Sequence, residues 1–355
     1  MREYLKKALR RLPLLAATLS AAALIVAMPS VSAAGVKKGL LICASSAVPS
    51  LYPFCVLSAF FVRSGLCGYL GKFLEKPPVR VLFALPGSAG AAACMSFVAG
   101  YPVGVGMTAA LFSDGRISQS DAQRMTLFCV NAGPAFVIGG VGAGMLGSVR
   151  AGVIIFVSLT LASLTLGVLT RFIPHGETDA YTAPAISTLP LSRALTEAVA
   201  YGTKNMISIC AWIVMFACAT QYIPLLRLPD WANLLLGCTL EVTGGCASAA
   251  GVFNIPAIAA VLGWGGVSVH CQIMRHIKTC GTPLPYFFCA RLVCAALAAL
   301  FCEGLLRLFP CPVNTVSLGS VGAPQMFSFS APAAFAMLLS GAMLILELDT
   351  NEKKC

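Results

Sequence analysis

The sequence predicts an all-α fold: a polytopic transmembrane helical bundle of about ten spans, with an internal repeat and broken or re-entrant helices. Three observations carry that expectation. First, 10% of the 355 residues are charged and 58% are hydrophobic, whereas a soluble domain carries about 25% charged residues. Second, low-charge runs recur at 39–62, 81–112, 125–149, 151–170, 205–226, 231–274, 286–309 and 331–346. Third, the runs of 32 residues at 81–112 and 44 residues at 231–274 are too long for one pass; a helix needs about 20 residues to cross roughly 30 Å of hydrocarbon. A mean hydropathy of +0.86 excludes an ordinary soluble enzyme. The net charge of +11 fits orientation in a bilayer and no nucleic-acid partner, because no basic run sits in a polar domain large enough to fold alone.

Residues 1–34 join a basic segment (Arg2, Lys6, Lys7, Arg10, Arg11) to an apolar stretch that suits both a cleaved signal peptide and a first transmembrane helix. A first repeat is expected over 36–173. Within it, Pro49 and Pro53 predict a broken start to the second span, and Gly100-Tyr101-Pro102 predicts a break, a tilt or a hairpin in 81–112. Asn131-Ala132-Gly133-Pro134 interrupts the next run, and the glycines of 137–146 read as packing surface. Residues 174–201, with Pro184 and Pro190, read as a polar inter-repeat loop, followed by a second repeat over 202–310. Its long run at 231–274 is expected to form two passes, or one pass and a re-entrant hairpin. Residues 311–355 complete the chain with a loop, a last transmembrane helix and a charged tail. Counting ten spans puts sixteen of the 24 Lys and Arg on the side of both termini, so the expected location is the cell membrane with both termini cytoplasmic.

The 16 cysteines show no CxxC pair and lie mostly within apolar runs, as small buried residues do; neither a metal site nor a cofactor is expected. No P-loop, GxSxG or HExxH motif is present, so no enzymatic activity is expected. Glu241 is the only formal charge in 231–274. A carboxylate inside a span costs about 2.5 to 3.5 kcal/mol to insert and faces a cavity, a partner or a substrate. It suits a proton-coupled or cation-binding role, and equally the capping of a broken helix through backbone N–H groups. Thr243, Gly244 and Gly245 follow it, the glycines as an expected backbone break matching Gly100 and Pro102 in the first half.

Ser268, His270 and Gln272 alternate along 265–272, a spacing that fits extended or unwound backbone lining a polar cavity, or a His270 that reaches water at the end of its span. Pro134 frees a carbonyl beside Asn131; freed carbonyls there and near Pro102 would hold a solute, or Asn131 bonds a neighbouring helix at a plain proline kink. Tyr101 lies at the first break. Arg291 is placed to snorkel to an interface, and Asp114, Arg116, Asp121 and Arg124 read as a solvated hinge.

Five motifs in order, Pro-Ser-Leu-Tyr-Pro-Phe (49–54), Gly-Tyr-Pro-Val-Gly (100–104), Asn-Ala-Gly-Pro-Ala-Phe (131–136), Leu-Glu-Val-Thr-Gly-Gly (240–245) and Gly-Gly-Val-Ser-Val-His-Cys-Gln (265–272), resemble the YlbJ-like sporulation integral membrane proteins over residues 36–310. Cys129 and Cys271 depart from the pattern in or beside those motifs. The resemblance implies a membrane protein of endospore-forming bacteria built from two nucleoside-recognition Gate repeats, a unit also present in spore maturation proteins and related to parts of nucleoside and ferrous-iron permeases. The expected function is a permease-like carrier of a small solute or ion, with a midplane site around Tyr101, Asn131, Glu241 and His270. The alternative is a non-transporting structural or assembly protein for the spore cortex or coat. Expected partners are membrane lipids, the unknown solute or ion and, on the alternative, a spore-envelope protein.

Overall fold

The computed structural model describes residues 2–66, 69, 83–172 and 189–311, and every regular element among them is helical. The expected last span at 331–346 and most of the inter-repeat loop lie outside the described residues. Helix α1 (Arg2–Ala27) and α2 (Pro29–Ile42) meet at Met28, so the expected first span is divided there. α2 runs through a π turn at Cys43–Ala47 into α3 (Val48–Arg63). Pro49 and Pro53 therefore do not break the chain's helical path: the π turn shifts the hydrogen-bond register just before them, and Ser50 Oγ donates to the Ser46 carbonyl at 2.6 Å.

Helices α4 (Gly87–Ala99) and α5 (Tyr101–Ser113) are separated by Gly100 alone. A β-carbon on Gly104 would lie 3.0 Å from Ser96 Cα, although eight residues of continuous helix rise about 12 Å. The chain therefore folds back at Gly100 as a hairpin. α6 (Gln119–Phe128) follows, capped by Ser118, whose Oγ accepts from Asp121 N at 3.0 Å. An irregular stretch then leads to a π-helical segment (Ala135–Met145) and to α7 (Val149–Leu169).

α8 (Leu191–Thr220) begins directly after Pro190, which corrects the expectation of a loop to 201; buried Ala194, Ala198 and Gly202 fall on one face of its first turns and hold them as helix. α9 (Asp230–Leu240) and α10 (Val242–Ala249) are separated by Glu241 alone. Here a β-carbon on Gly245 would lie 2.6 Å from Cys238 Cα, seven residues away, so this too is a hairpin. α11 (Ile255–Trp264), α12 (Gly266–Thr279) and α13 (Leu284–Leu308) complete the described chain.

Among the described residues, five helical stretches are long and apolar enough to cross a membrane: Pro29–Phe61, Val149–Phe172, Leu191–Leu226, Ile255–Thr279 and Leu284–Leu308. α8 lies antiparallel on α2–α3, with Gly35 against Cys218, Gly39 against Val214 and Gly202 against Val56; these small residues let the backbones approach closely. α7, α11 and α13 pack together, and α5 packs on α12.

Two contacts orient the bundle. Arg63 pairs with Glu197 at one end, and Ser32 bonds Tyr222 at the other. Arg193 thus shares an end with Arg63, and Arg227 lies beyond Tyr222 at the end that carries Lys38. Simple alternation through ten spans places each of these pairs on opposite sides, and the hairpin at Gly100 is the physical reason it fails: the chain turns back on itself within 87–113. The solvated hinge is corrected as well. Asp121 and Arg124 are buried, and Arg124 donates to the Ala84 carbonyl at 3.1 Å and to that of Phe83.

Candidate functional site

The hairpin tips and the breaks in the neighbouring helices meet in the bundle. Gly100 (φ +89°) sits against Gly133, where a β-carbon would lie 3.3 Å from Gly133 N. Gly266 (φ +78°) backs onto the second tip, where a β-carbon would lie 2.9 Å from Val242 N. Both are left-handed positions that glycine adopts without strain. Tyr101 joins the two halves: its hydroxyl donates to the Leu262 carbonyl at 2.6 Å, and its ring lies against Gly265.

Glu241 is 2% exposed and has extended backbone (φ −139°, ψ 115°). Its Oε1 accepts from Thr243 N at 2.9 Å and its Oε2 from Gly244 N, so it caps α10. The break is Glu241 itself. Gly244 and Gly245 lie inside α10, which corrects their expected role; Gly245 serves instead as the contact surface on which α9 and α10 close. Pro102 and Pro134 likewise stand at the start of helical segments, where a missing N–H is harmless.

Three cavities lie in order along the α2–α3 and α8 pair. An outer one of about 240 Å³ is lined by Lys38, Gln221, Asn233, Glu241 and Ser248 among others. An inner one of about 40 Å³ is lined by Leu51, Tyr101, Glu241, Thr243, Ser268 and Gln272 among others. A third of about 170 Å³ is lined by Ser58, Arg63, Val103, Gly106 and Tyr201 among others. Glu241 lines both the outer and the inner cavity. Lys38 and Arg63, at the two ends, are 25 residues apart on the same helical run, or about 38 Å, enough to cover the hydrocarbon thickness.

The stretch 265–272 is not extended. Gly266–Thr279 is α-helical. Ser268 and Gln272, four residues apart, share the face toward the inner cavity, and the buried Ser268 hydroxyl has no hydrogen-bond partner. His270 points elsewhere and lines none of the three cavities. It is 1% exposed, so it does not reach water; its Nε2 lies 2.8 Å from the Trp264 carbonyl, edge-on to Trp264, Phe287 and Phe288.

Asn131 is likewise a structural clamp. Its amide donates to Ser96 Oγ at 3.1 Å and to the Phe128 carbonyl at 3.0 Å, and its Oδ1 accepts from Ser163. The freed carbonyls near it receive Arg291: Nη1 donates to Val130 O at 2.6 Å and Nη2 to Leu127 O. Arg291 is 0% exposed and does not snorkel. Asn131→Ala is expected to lower stability by about 1 to 3 kcal/mol, since it leaves buried Ser96 and Ser163 short of partners; thermal unfolding of the purified protein measures this. Lys38, Gln221, Asn233, Ser248 and Arg291 are among the residues that sequence reasoning did not assign to the site or its support.

Long apolar helices packed around two helical hairpins whose tips meet in the bundle define a polytopic integral membrane protein. In keeping with this, the chain is 25% identical over 321 residues to the sporulation integral membrane protein YlbJ of Bacillus subtilis (strain 168), an alignment that takes in 79% of this chain and 78% of that protein. The likeness supports a place among YlbJ-like proteins. No family model matches the sequence, and no solved structure matches it.

Proposed function

We propose that the chain is a permease-like, non-enzymatic carrier that moves a small solute or ion across the cell membrane, acting in sporulation as its relative's name suggests, and there in formation of the spore envelope. The observation that carries this reading is Glu241, at a hairpin tip, lining the outer and inner cavities at once. A third cavity continues the line toward Arg63. The element order adds support: long helix, hairpin, interrupted span and long helix occur as α2–α3, α4–α5, α6 with its π segment, and α7. The same order recurs as α8, α9–α10, α11–α12 and α13, running in the opposite direction. We read these as two Gate-like repeats of inverted topology with their shared site near the midplane. On this reading the Arg63 end is cytoplasmic, by its neighbours Arg193, Arg275 and Lys278 and by the basic residues Lys72, Lys76 and Arg80 that follow it in sequence.

A second reading has a specific observation in its favour: both Glu241 oxygens hold backbone N–H groups, as a purely structural cap would. Uptake from a uniformly ¹³C-labelled small-molecule extract of bacterial cells into proteoliposomes, read by mass spectrometry, separates the two. The carrier reading expects at least one solute to accumulate and Glu241→Gln to reduce its uptake tenfold or more. Equal uptake by the two folded proteins would remove Glu241 from the transport step. No accumulation by the wild type would favour a structural or assembly role in cortex or coat formation.

A further inference from the structure

Among the described residues, buried apolar side chains form two separate cores. A small one, with Cys43, Ala47, Cys55, Met206, Ile209 and Ile213, lies between α2–α3 and α8. A large one unites the hairpins, the interrupted spans, α7 and α13. Hydrogen bonds between distant helices follow the same division: Arg63–Glu197, Ser32–Tyr222 and Tyr52–Thr203 stay within the first body, and Tyr101–Leu262, Asn131–Ser96 and Arg291–Val130 within the second. All three cavities lie on the seam between the two bodies. The outer one separates Lys38 and Thr220 from Asn233 and Gly237, the inner one separates Leu51 and Ile213 from Tyr101 and Ser268, and the third separates Arg63 and Tyr201 from Gly106 and Ala110.

We infer that Tyr201 is the gate that shuts this seam at the Arg63 end, and that the seam opens there when α5 withdraws from its ring. The inference rests on the carrier reading and names the moving contact of that same pathway. Under the inverted repeat the third cavity is the counterpart of the outer one, since each is bounded by one end of the α2–α3 and α8 pair and by one hairpin. The two ends differ in closure. The outer cavity, about 240 Å³, reaches the exposed Lys38, whereas the third, about 170 Å³, has the Tyr201 ring set across it toward α5.

The contact across the seam is one that can part. A β-carbon on Gly106 of α5 would stand 3.6 Å from the Tyr201 hydroxyl and 3.7 Å from Nε2 of His276 on α12. Neither group takes part in a hydrogen bond among the described residues, so α5 and the ring tip meet by van der Waals contact and separate without stranding a polar partner. The ring is braced from its own side instead. The Arg63 guanidinium carbon lies 5.6 Å from the ring centroid, and Glu197 holds both Arg63 and, at 3.0 Å, Arg193. Gly202, the next residue, fixes α8 on α3, because a β-carbon there would lie 3.1 Å from Val56 N. Ring and brace therefore stay with the first body, and α5 is the element that leaves. Its withdrawal joins the third cavity to the inner one, which Cys55 lines one turn before Ser58 and Ala59 of the third.

Cys55, 2% exposed, is a built-in reporter of this opening. The test is labelling of the full chain in nanodiscs with the charged, membrane-impermeant thiol reagent methanethiosulfonate ethyltrimethylammonium, read cysteine by cysteine by peptide mass spectrometry. Tyr201→Ala is expected to raise the labelling rate of Cys55 about tenfold or more, since the minor state of a two-state element is populated to about 0.1–10% and removal of its closing contact shifts that balance. Tyr201→Phe, which keeps the ring, should label at close to the wild-type rate. Cys43, Cys129 and Cys302, buried in the two cores, should stay unlabelled in all three proteins. A Cys55 rate in Tyr201→Ala equal to that of the wild type would overturn the inference, as would Tyr201→Phe labelling as fast as Tyr201→Ala. Labelling of the core cysteines together with Cys55 would show a loosened fold in place of a gate and would overturn it too. Uptake from the ¹³C-labelled extract by the same proteins tests the carrier reading separately. No uptake with ring-dependent labelling intact keeps the gate and removes transport, whereas uptake with Cys55 indifferent to residue 201 keeps the carrier and removes the gate.

Discussion

Arg291→Ala is expected to lower the stability of the protein by about 3 to 6 kcal/mol, because it removes two charge-assisted hydrogen bonds worth about 1.5 to 3 kcal/mol each. The guanidinium is fully buried on α13 and donates to the carbonyls of Leu127 and Val130. Those carbonyls are available because the chain leaves the helix after Phe128 and resumes it only at the π segment. Lipid offers them no other donor, so the gap would be left with unsatisfied acceptors. Arg291→Lys is expected to recover little of the loss. An ammonium is a compact charge on a flexible stem, whereas the planar fork reaches two carbonyls three residues apart. Thermal unfolding in detergent, followed by loss of the monodisperse peak, should place the midpoint of Arg291→Ala at least 5 °C below the wild type, by a conversion of about 2 to 4 °C per kcal/mol. A midpoint within 1 °C of wild type would show that the gap after Phe128 holds without Arg291.

Arg291 also shows why one buried charge was legible and another was not. Glu241 stood out as the lone charge in a 44-residue run, and that run's length required a turn near it. Arg291 carried a similar signal, a cation inside an apolar run with no acid three or four residues away. Its partners, however, are backbone carbonyls about 160 residues distant, which no local pattern reveals. The two hairpins were legible from length and from Gly100, since an overlong apolar run must bend somewhere. The direction in which they turn back was not, and the side of every later loop depended on it. The alternation of Ser268, His270 and Gln272 has the period of two of extended backbone. In α12, polar groups point both ways for separate reasons, Ser268 and Gln272 to a cavity and His270 into an aromatic cluster. The outer cavity was hidden most completely. Lys38, Gln221 and Asn233 are ordinary span-end residues in sequence, and only the antiparallel packing of α2 and α8 beside α9 makes them one surface.

Gly245→Ala should act on the second hairpin with the opposite sign to Gly237→Ala one element earlier. A β-carbon at 245 would lie 2.6 Å from Cys238 Cα and 3.2 Å from Cys238 N, both backbone atoms that no rotamer change can move. α10 must then retreat from α9 by about 1 Å to restore van der Waals contact, and strain of this kind costs about 1 to 3 kcal/mol. Glu241 is the single residue between the two helices, and its carboxylate is held by the first N–H groups of α10. Retreat of α10 thus carries away the wall that divides the outer cavity from the inner one. At 237 a β-carbon meets nothing within 4 Å. There alanine stiffens α9, its methyl standing in the open space of the outer cavity, and should stabilise the helix by about 0.5 to 1 kcal/mol. Paired unfolding midpoints should therefore fall on either side of the wild type, and only Gly245→Ala should lose tenfold or more of any flux the carrier supports. Gly245→Ala as stable and as active as Gly237→Ala would mean that α9 and α10 are not closed on each other, and the role of Glu241 between the two cavities would fall with that contact.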